Sequence, residues 1–257
     1  MNYYYFLLIF FLVSCISDKN EKLKEKVVNS SVLNIEGNIY KLKGELFTGK
    51  VLDTAKNGRV LKSFTCFNGK IEGEFLNYST SGKIISKRSY KNGLLEGEST
   101  FYEDESVSIR NYKKGILNGI RKELLEGKVL VEGFYKDGLQ CGIWTYNYPN
   151  GKIKVKGQFQ NGDESNRDEK LQIPRNGRIG EWVFYGENGN IEKKHFYKHD
   201  SDIVDATTFY KNGKIQSEGE MNLGQKNGIW IENYENGNIK LSSNYIQETK
   251  MINEGYN

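Results

Sequence analysis

The chemistry-bearing residues of this 257-residue chain are two histidines, three cysteines and 33 Asp and Glu, and their spacing decides what they do. His195 and His199 are four apart. On a helix they would share a face and could bind Zn2+. Here they fall on a strand and the turn after it, where positions i and i+4 diverge in depth. No Cys or carboxylate at ligand spacing joins them, so no metal site is expected. Asp163, Glu164, Asp168 and Glu169 lie in a polar stretch that reads as a solvated loop. Paired catalytic carboxylates need rigid placement, which such a loop does not supply. No Cys has a partnered His, and neither a G-x-S-x-G elbow nor a phosphate-cradling loop occurs. The expectation is a protein without catalytic residues, metal or cofactor.

The elements that position these residues are short and repeated. Eight units begin near Gly49, Gly73, Gly97, Gly119, Gly142, Gly180, Val204 and Gly228. Most starts are about 22–24 residues apart, a period that marks a stacked array rather than one globular core. The unit at Gly142 reads Ile143-Trp144-Thr145-Tyr146-Asn147-Tyr148, then Pro149-Asn150-Gly151-Lys152, then Ile153 to Phe159. Asn-Gly between two alternating runs signals a hairpin, for which a type I′ turn with both central residues at positive φ is expected. A glycine recurs nine residues into six units, at Gly58, Gly82, Gly151, Gly189, Gly213 and Gly237. Second turns follow, as at Asn68-Gly69, Asn92-Gly93 and Asn161-Gly162, so each unit holds two strands. Pairing across Asn150-Gly151 sets Trp144 opposite Gly157 and Tyr146 opposite Val155. The same arithmetic sets Trp182 opposite His195 and Trp230 opposite Ser243. An indole facing a small or flat residue can lie across it. One register column holds Val60, Ile84, Ile153, Ile191, Ile215 and Ile239, and another holds Tyr90, Phe159, Tyr197, Met221 and Tyr245. The opposite face carries Lys87, Lys154, Lys156, Lys194, Gln216, Glu218 and Lys240. One face is therefore apolar and aromatic, the other charged. About fourteen extra residues between Gly162 and Gly180, with Pro174 among them, interrupt the array as a polar insertion (163–179).

These units resemble the bacterial variant of the MORN repeat, whose pattern runs near G-x-W-x-x-Y-x-x-N-G-K-I and then Y-x-N-G. Gly142-Ile143-Trp144 with Asn150-Gly151-Lys152-Ile153 meets it, as does Gly228-Ile229-Trp230 with Asn236-Gly237-Asn238-Ile239. Tyr90-Lys91-Asn92-Gly93 and Tyr210-Lys211-Asn212-Gly213 supply the second turn or its equivalent. The units at Gly97 and Gly119 depart most: both are a residue or two short, and Glu105-Ser106 replaces the first turn of the one at Gly97. The resemblance implies an all-β fold, an elongated, curled antiparallel sheet of tandem β-hairpins acting as a scaffold. It also implies the antitoxin label that bacterial members often carry, and the link of eukaryotic arrays to phospholipids and protein docking.

The amino terminus carries an address. Tyr3 to Val13 is an uncharged apolar run, too short for a membrane-spanning helix of ~20 residues and of the right length for a secretory signal. It ends in Leu12-Val13-Ser14-Cys15, which resembles the bacterial lipobox. The resemblance implies a signal peptide over 1–14, a diacylglycerol on the Cys15 sulfur, and often a third acyl chain on the new amino terminus. Several chains hold where one does not, since each buried CH2 contributes about 0.8 kcal/mol. The n-region departs from the pattern, having no Lys or Arg before Phe6. The expected organisation is then a charged tether over 15–36 and a repeat array over 37–257. Cell membrane or outer membrane is the expected address, and Ile16 after the lipidated Cys is not the Asp-type retention signal of the inner membrane. Cys66 and Cys141 lie three units apart, roughly 30 Å at ~4.8 Å per strand, so both are expected to be free.

Net charge is +4, from 37 Lys and Arg against 33 Asp and Glu, with the signs interleaved, which argues against nucleic acid as a partner. The 17 Tyr and 13 Phe exceed what a disordered chain would carry. Trp144, Tyr146, Tyr148, Trp182 and Trp230 form the candidate binding face, although packing between units is the favoured use of such aromatics. The expected function is a lipid-anchored envelope scaffold docking a protein partner. The alternatives are an antitoxin or immunity-like role, and direct binding of anionic phospholipid or glycan.

Overall fold

The computed structural model describes residues 26–198 and 203–246. The expected signal peptide, the Cys15 lipobox and His199 lie outside them. Among the described residues one 17-stranded sheet runs the length of the molecule. It takes the eight two-strand units in chain order, from Gly49–Thr54 and Val60–Phe67 through Leu139–Asn147 and Ile153–Gly162 to Gln225–Asn233 and Ile239–Tyr245. Every strand of the array pairs antiparallel with the next. The sheet is mixed only because Val27–Val28 adds to Gly49–Thr54 in parallel. It is not closed. Residues 27–36, expected within a tether, are thus folded, with a second strand at Asn34–Glu36.

Two kinds of bend alternate. The described two-residue bends between units are type I′, with both central residues at positive φ, as at Asn68-Gly69 (49° and 76°) and Asn92-Gly93 (52° and 79°). Within units they differ from expectation. At Tyr148–Lys152 the Gly151 N–H donates to the Tyr148 carbonyl at 2.8 Å, with Pro149 and Asn150 at the centre of the turn. Only Gly151, at φ 87°, is left-handed. The Asn150 carboxamide accepts from the Lys152 N–H at 2.9 Å, an Asx bond that a type I′ turn does not require. Asn57, Asn188, Asn212 and Asn236 repeat that bond. The two short units lose the wide bend altogether and turn through two residues, Asp104-Glu105 and Glu126-Gly127. Asn161-Gly162, expected as a turn, is strand, with Gly162 paired to Gln140, because the insertion takes over the connection.

The apolar face has two covers that the repeat pattern does not announce. A three-stranded sheet of Asn34–Glu36, Ile39–Leu42 and Glu45–Leu46 lies over its beginning. Tyr40 and Leu42 pack there on a buried cluster of Phe47, Val51, Phe64, Cys66, Ile71 and Phe75. The second cover is the insertion. It is not a solvated loop: Ile173 is 1% exposed and joins Tyr135, Trp144, Phe159, Trp182 and Phe184 in the larger cluster. A one-layer sheet leaves one greasy side in water, and these two segments remove most of it.

Candidate functional site

Six of the eight units begin with a glycine that bulges toward the preceding unit and faces an aromatic in its own; the exceptions are Gly49, which opens the array opposite Cys66, and Val204, which pairs without a bulge. Gly73 pairs with Tyr90, Gly142 with Phe159, Gly180 with Tyr197 and Gly228 with Tyr245. Gly142 and Gly180 have φ of 67° and 62°, which a β-carbon disfavours. The bulge rotates the following residues so that the indole two positions on reaches backward. Trp144 does pair with Gly157, Tyr146 with Val155, Trp182 with His195 and Trp230 with Ser243. The ring, however, lies over a glycine of the unit before. Trp144 covers Gly133, Trp182 covers Gly157 and Trp230 covers Gly219. Each indole N–H donates to the carbonyl one residue beyond that glycine, Phe134, Gln158 and Glu220 at 3.3, 3.2 and 2.7 Å. The tryptophans are stitches between units.

The candidate binding face is thus mostly consumed by packing. Trp144, Trp182, Trp230 and Tyr146 are buried, and burial pushes the Tyr146 hydroxyl up to about 12. Tyr148 is half-buried and donates to the Tyr185 carbonyl of the next unit at 2.8 Å. Ring contacts run on through Tyr135, Trp144, Phe159, Trp182 and Tyr197 at 4.9–6.1 Å. The isoleucine column behaves differently. Ile84, Ile153, Ile215 and Ile239 sit at hairpin ends and are exposed, because the one-residue bulge after each wide bend takes them off the packed rows.

Between the two covers the same face changes character. Across successive strands Arg88 pairs with Ser99, Ser99 with Arg110, and Arg110 with Arg121. Three guanidinium groups occupy the row that holds Phe64 and Phe75 earlier and Trp144 later. Arg88 lies over Phe75 at 4.8 Å and Arg110 over Phe101 at 5.2 Å. Arg121 bonds Glu123 at 2.9 Å and also reaches Glu164 of the insertion, which takes the Tyr135 hydroxyl and Arg167 as well. Glu164 therefore pins one end of the cover. Asp168 pins the other. Burial opposes its ionisation, but the Leu171 and Lys170 N–H groups and Arg175 outweigh that and hold it below the usual carboxylate range. Of the four carboxylates read as solvated, these two are structural.

The opposite face carries the expected charges, paired across strands as in Lys194–Glu181 at 2.9 Å and Lys122–Glu132 at 2.9 Å. It is not uniformly charged. Ile120 pairs directly with Phe134, Phe134 with Cys141, and Ile143 follows across the Gly142 bulge. Ile120, Phe134 and Ile143 are 45%, 42% and 55% exposed. Cys66 and Cys141 are free thiols, and burial pushes Cys66 up to about 11. No group of three or more His, Cys, Asp or Glu that could hold a metal occurs among the described residues. His195 sits on the inner face between Phe184 and Tyr197, at ring distances of 5.1 and 6.1 Å.

Comparison with known families agrees with this geometry. The family described as MORN repeat variant matches five times, over residues 71–92, 140–161, 178–199, 205–222 and 226–247. Those five segments are MORN repeats. The matched segments include all three tryptophan stitches, while the two short units and the first unit fall outside them. Comparison with curated proteins gives no match. MORN repeats make the molecule a repeat scaffold. Sequence reasoning missed Lys193, which stands in the column of Val155, and the arginine row, which aligning the units column by column would have exposed as breaks in an apolar register.

Proposed function

We propose that this chain is a non-enzymatic repeat scaffold, tethered to the bacterial cell envelope through lipid on Cys15, that docks a protein partner with its outer face. The row Ile120, Phe134 and Ile143 carries the reading. On the inner face the large aromatics are sealed by the two covers or by neighbouring units. On the outer face, where Phe196 and Ile229 are exposed singly opposite polar residues, an Ile–Phe pair stands directly opposed and open to water. A contiguous apolar patch with a charged rim is the surface that partners cover, and a buried aromatic at its centre is the usual anchor. The open ladder adds length to this surface without enclosing a pocket, which suits docking rather than turnover.

The test uses a photo-crosslinking residue at Phe134, at Ile143, and at Gln216 as an outer-face control. Irradiation in native membranes is expected to give one discrete protein adduct from the first two positions and none from the third. Ile120→Glu should abolish that adduct. The same adducts from all three positions, or none, would remove the docking assignment. Release of Cys15→Ser from the membrane fraction checks the tether separately.

A further inference from the structure

A cavity of about 560 Å3 lies between the insertion and the inner face. That is the size of a small-molecule pocket, ~300–1,000 Å3. Asp168, Arg175 and Arg178 line it from the insertion and its exit, Lys193 and His195 from the strand Ile191–Tyr197, and Met221 from beyond. The ionic pairing inside is incomplete. Arg175 bonds Asp168 at 3.2 Å, and Lys198, also at the wall, bonds Asp205 at 3.1 Å. Arg178 is buried with neutral acceptors only: the Pro174 and Ile173 carbonyls at 2.8 and 3.1 Å and the Tyr197 hydroxyl at 2.8 Å. A guanidinium has five N–H donors, so some of its capacity remains unused. Lys193 has no carboxylate at ion-pair distance among the described residues. Its ammonium lies 4.4 Å over the Phe184 ring, and burial pulls it below the ordinary lysine range.

Among the described residues, two partly or fully buried cations thus face one cavity with no carboxylate in contact with either, the nearby Asp168 being bonded to Arg175, and leaving such charges unmatched is costly. We infer that the cavity binds a phosphate dianion, free or as a small monoester, seated between the Lys193 ammonium and the Arg178 guanidinium. Phosphate carries about −1.5 to −2 charges at pH 7, which matches two cations where a carboxylate would match one. Lysine supplies a point charge and arginine a fork, the two forms in which proteins hold phosphate. Met221 and Val204 on the far wall leave an apolar side for an organic remainder.

The full chain is titrated with inorganic phosphate, glycerol 3-phosphate and acetate, following calorimetric heat and tryptophan emission. Trp182 reports because Arg178 stacks on it at 4.5 Å. Saturable binding of the phosphate probes over acetate is expected. Lys193→Gln should weaken it roughly 10–100-fold, the fold-change of a lost charge-assisted hydrogen bond. Met221→Glu, which sets a carboxylate in the same wall, should weaken it too, while Lys87→Gln on the outer face leaves it unchanged. Tighter binding of glycerol 3-phosphate points to an ester as the occupant, and equal binding points to free phosphate. Near-UV circular dichroism verifies that each variant is folded. No saturable response to either phosphate probe, or identical titrations for wild type and folded Lys193→Gln, would overturn the inference.

Discussion

Gly157→Ala isolates the stitch between units. Gly157 has an ordinary strand φ, so alanine there carries no backbone penalty and should by itself favour a strand by about 0.5–1 kcal/mol. The new β-carbon, however, would stand 2.0 Å from Trp182 Cδ2, 2.3 Å from Cε2 and 2.5 Å from Cγ. Trp182 is fully buried, with Arg178 stacked at 4.5 Å and Phe159 edge-on at 4.9 Å, so the ring has nowhere to retreat. Overpacking costs about 1–3 kcal/mol, and expelling a buried indole about 3–5 kcal/mol. The substitution should therefore destabilise by about 3 kcal/mol. Urea unfolding followed by circular dichroism measures it, with amide exchange to locate the loss at the boundary between the strands Ile153–Gly162 and Arg178–Tyr185, since an array need not unfold as one unit. In a Trp182→Ala background the same change should become neutral or stabilising. A Gly157→Ala protein as stable as wild type, or a destabilisation that persists without the indole, would refute the stitch.

Three further outcomes follow from other contacts. Asn150→Ala removes the side-chain acceptor for the Lys152 N–H and should cost about 1 kcal/mol in urea unfolding. Burial, then Lys193 and Arg178, with Asp168 opposing, lowers His195 from 6.5 to about 4. Above pH 6.5 the ring is neutral folded and unfolded, so it adds no pH dependence. As pH falls from 6.5 to 4 only the unfolded chain takes up the proton, and up to about 3 kcal/mol of stability is lost, a slope that His195→Gln should flatten in unfolding measured across pH. Glu164→Gln weakens the link to Arg121, Tyr135 and Arg167, and should cost about 2 kcal/mol while speeding proteolytic cleavage between residues 163 and 177.

The array was legible because its signals are local and in phase. Positive-φ glycines recur where the chain must turn, and the alternation of Trp144, Tyr146, Val155 and Phe159 states which residues share a face. Strand partners such as Trp144 with Gly157 then follow from counting. Counting alone does not give the third dimension. The bulge at Gly142 is a displacement between units, so the indole's position over Gly133 could not be read from pairings within a unit. The covers were illegible for another reason. Leu171, Ile173 and Pro174 are a few apolar residues in a charged stretch, too few for a pattern, yet enough to seal a greasy strip that the repeats leave bare. The clue was the strip itself, since a one-layer sheet with tryptophans on one side needs something over them. Asn150 pointed correctly to a bend and wrongly to its type, because Asn serves both by adopting left-handed φ and by bonding its own backbone.

Whether the sheet is an open ladder is decided by two distances between spin labels on outer-face lysines, with the native thiols replaced by serine. One label stays at Lys87, and the other is placed at Lys240 in the strand Ile239–Tyr245 or at Lys156, half-way between the two. An open ladder requires Lys87–Lys240 to be the longer distance, since every strand adds about 4.8 Å along the sheet. A shorter Lys87–Lys240 distance would mean that the last strand returns to the first and closes the sheet around an interior, which contradicts a scaffold that works by its surface.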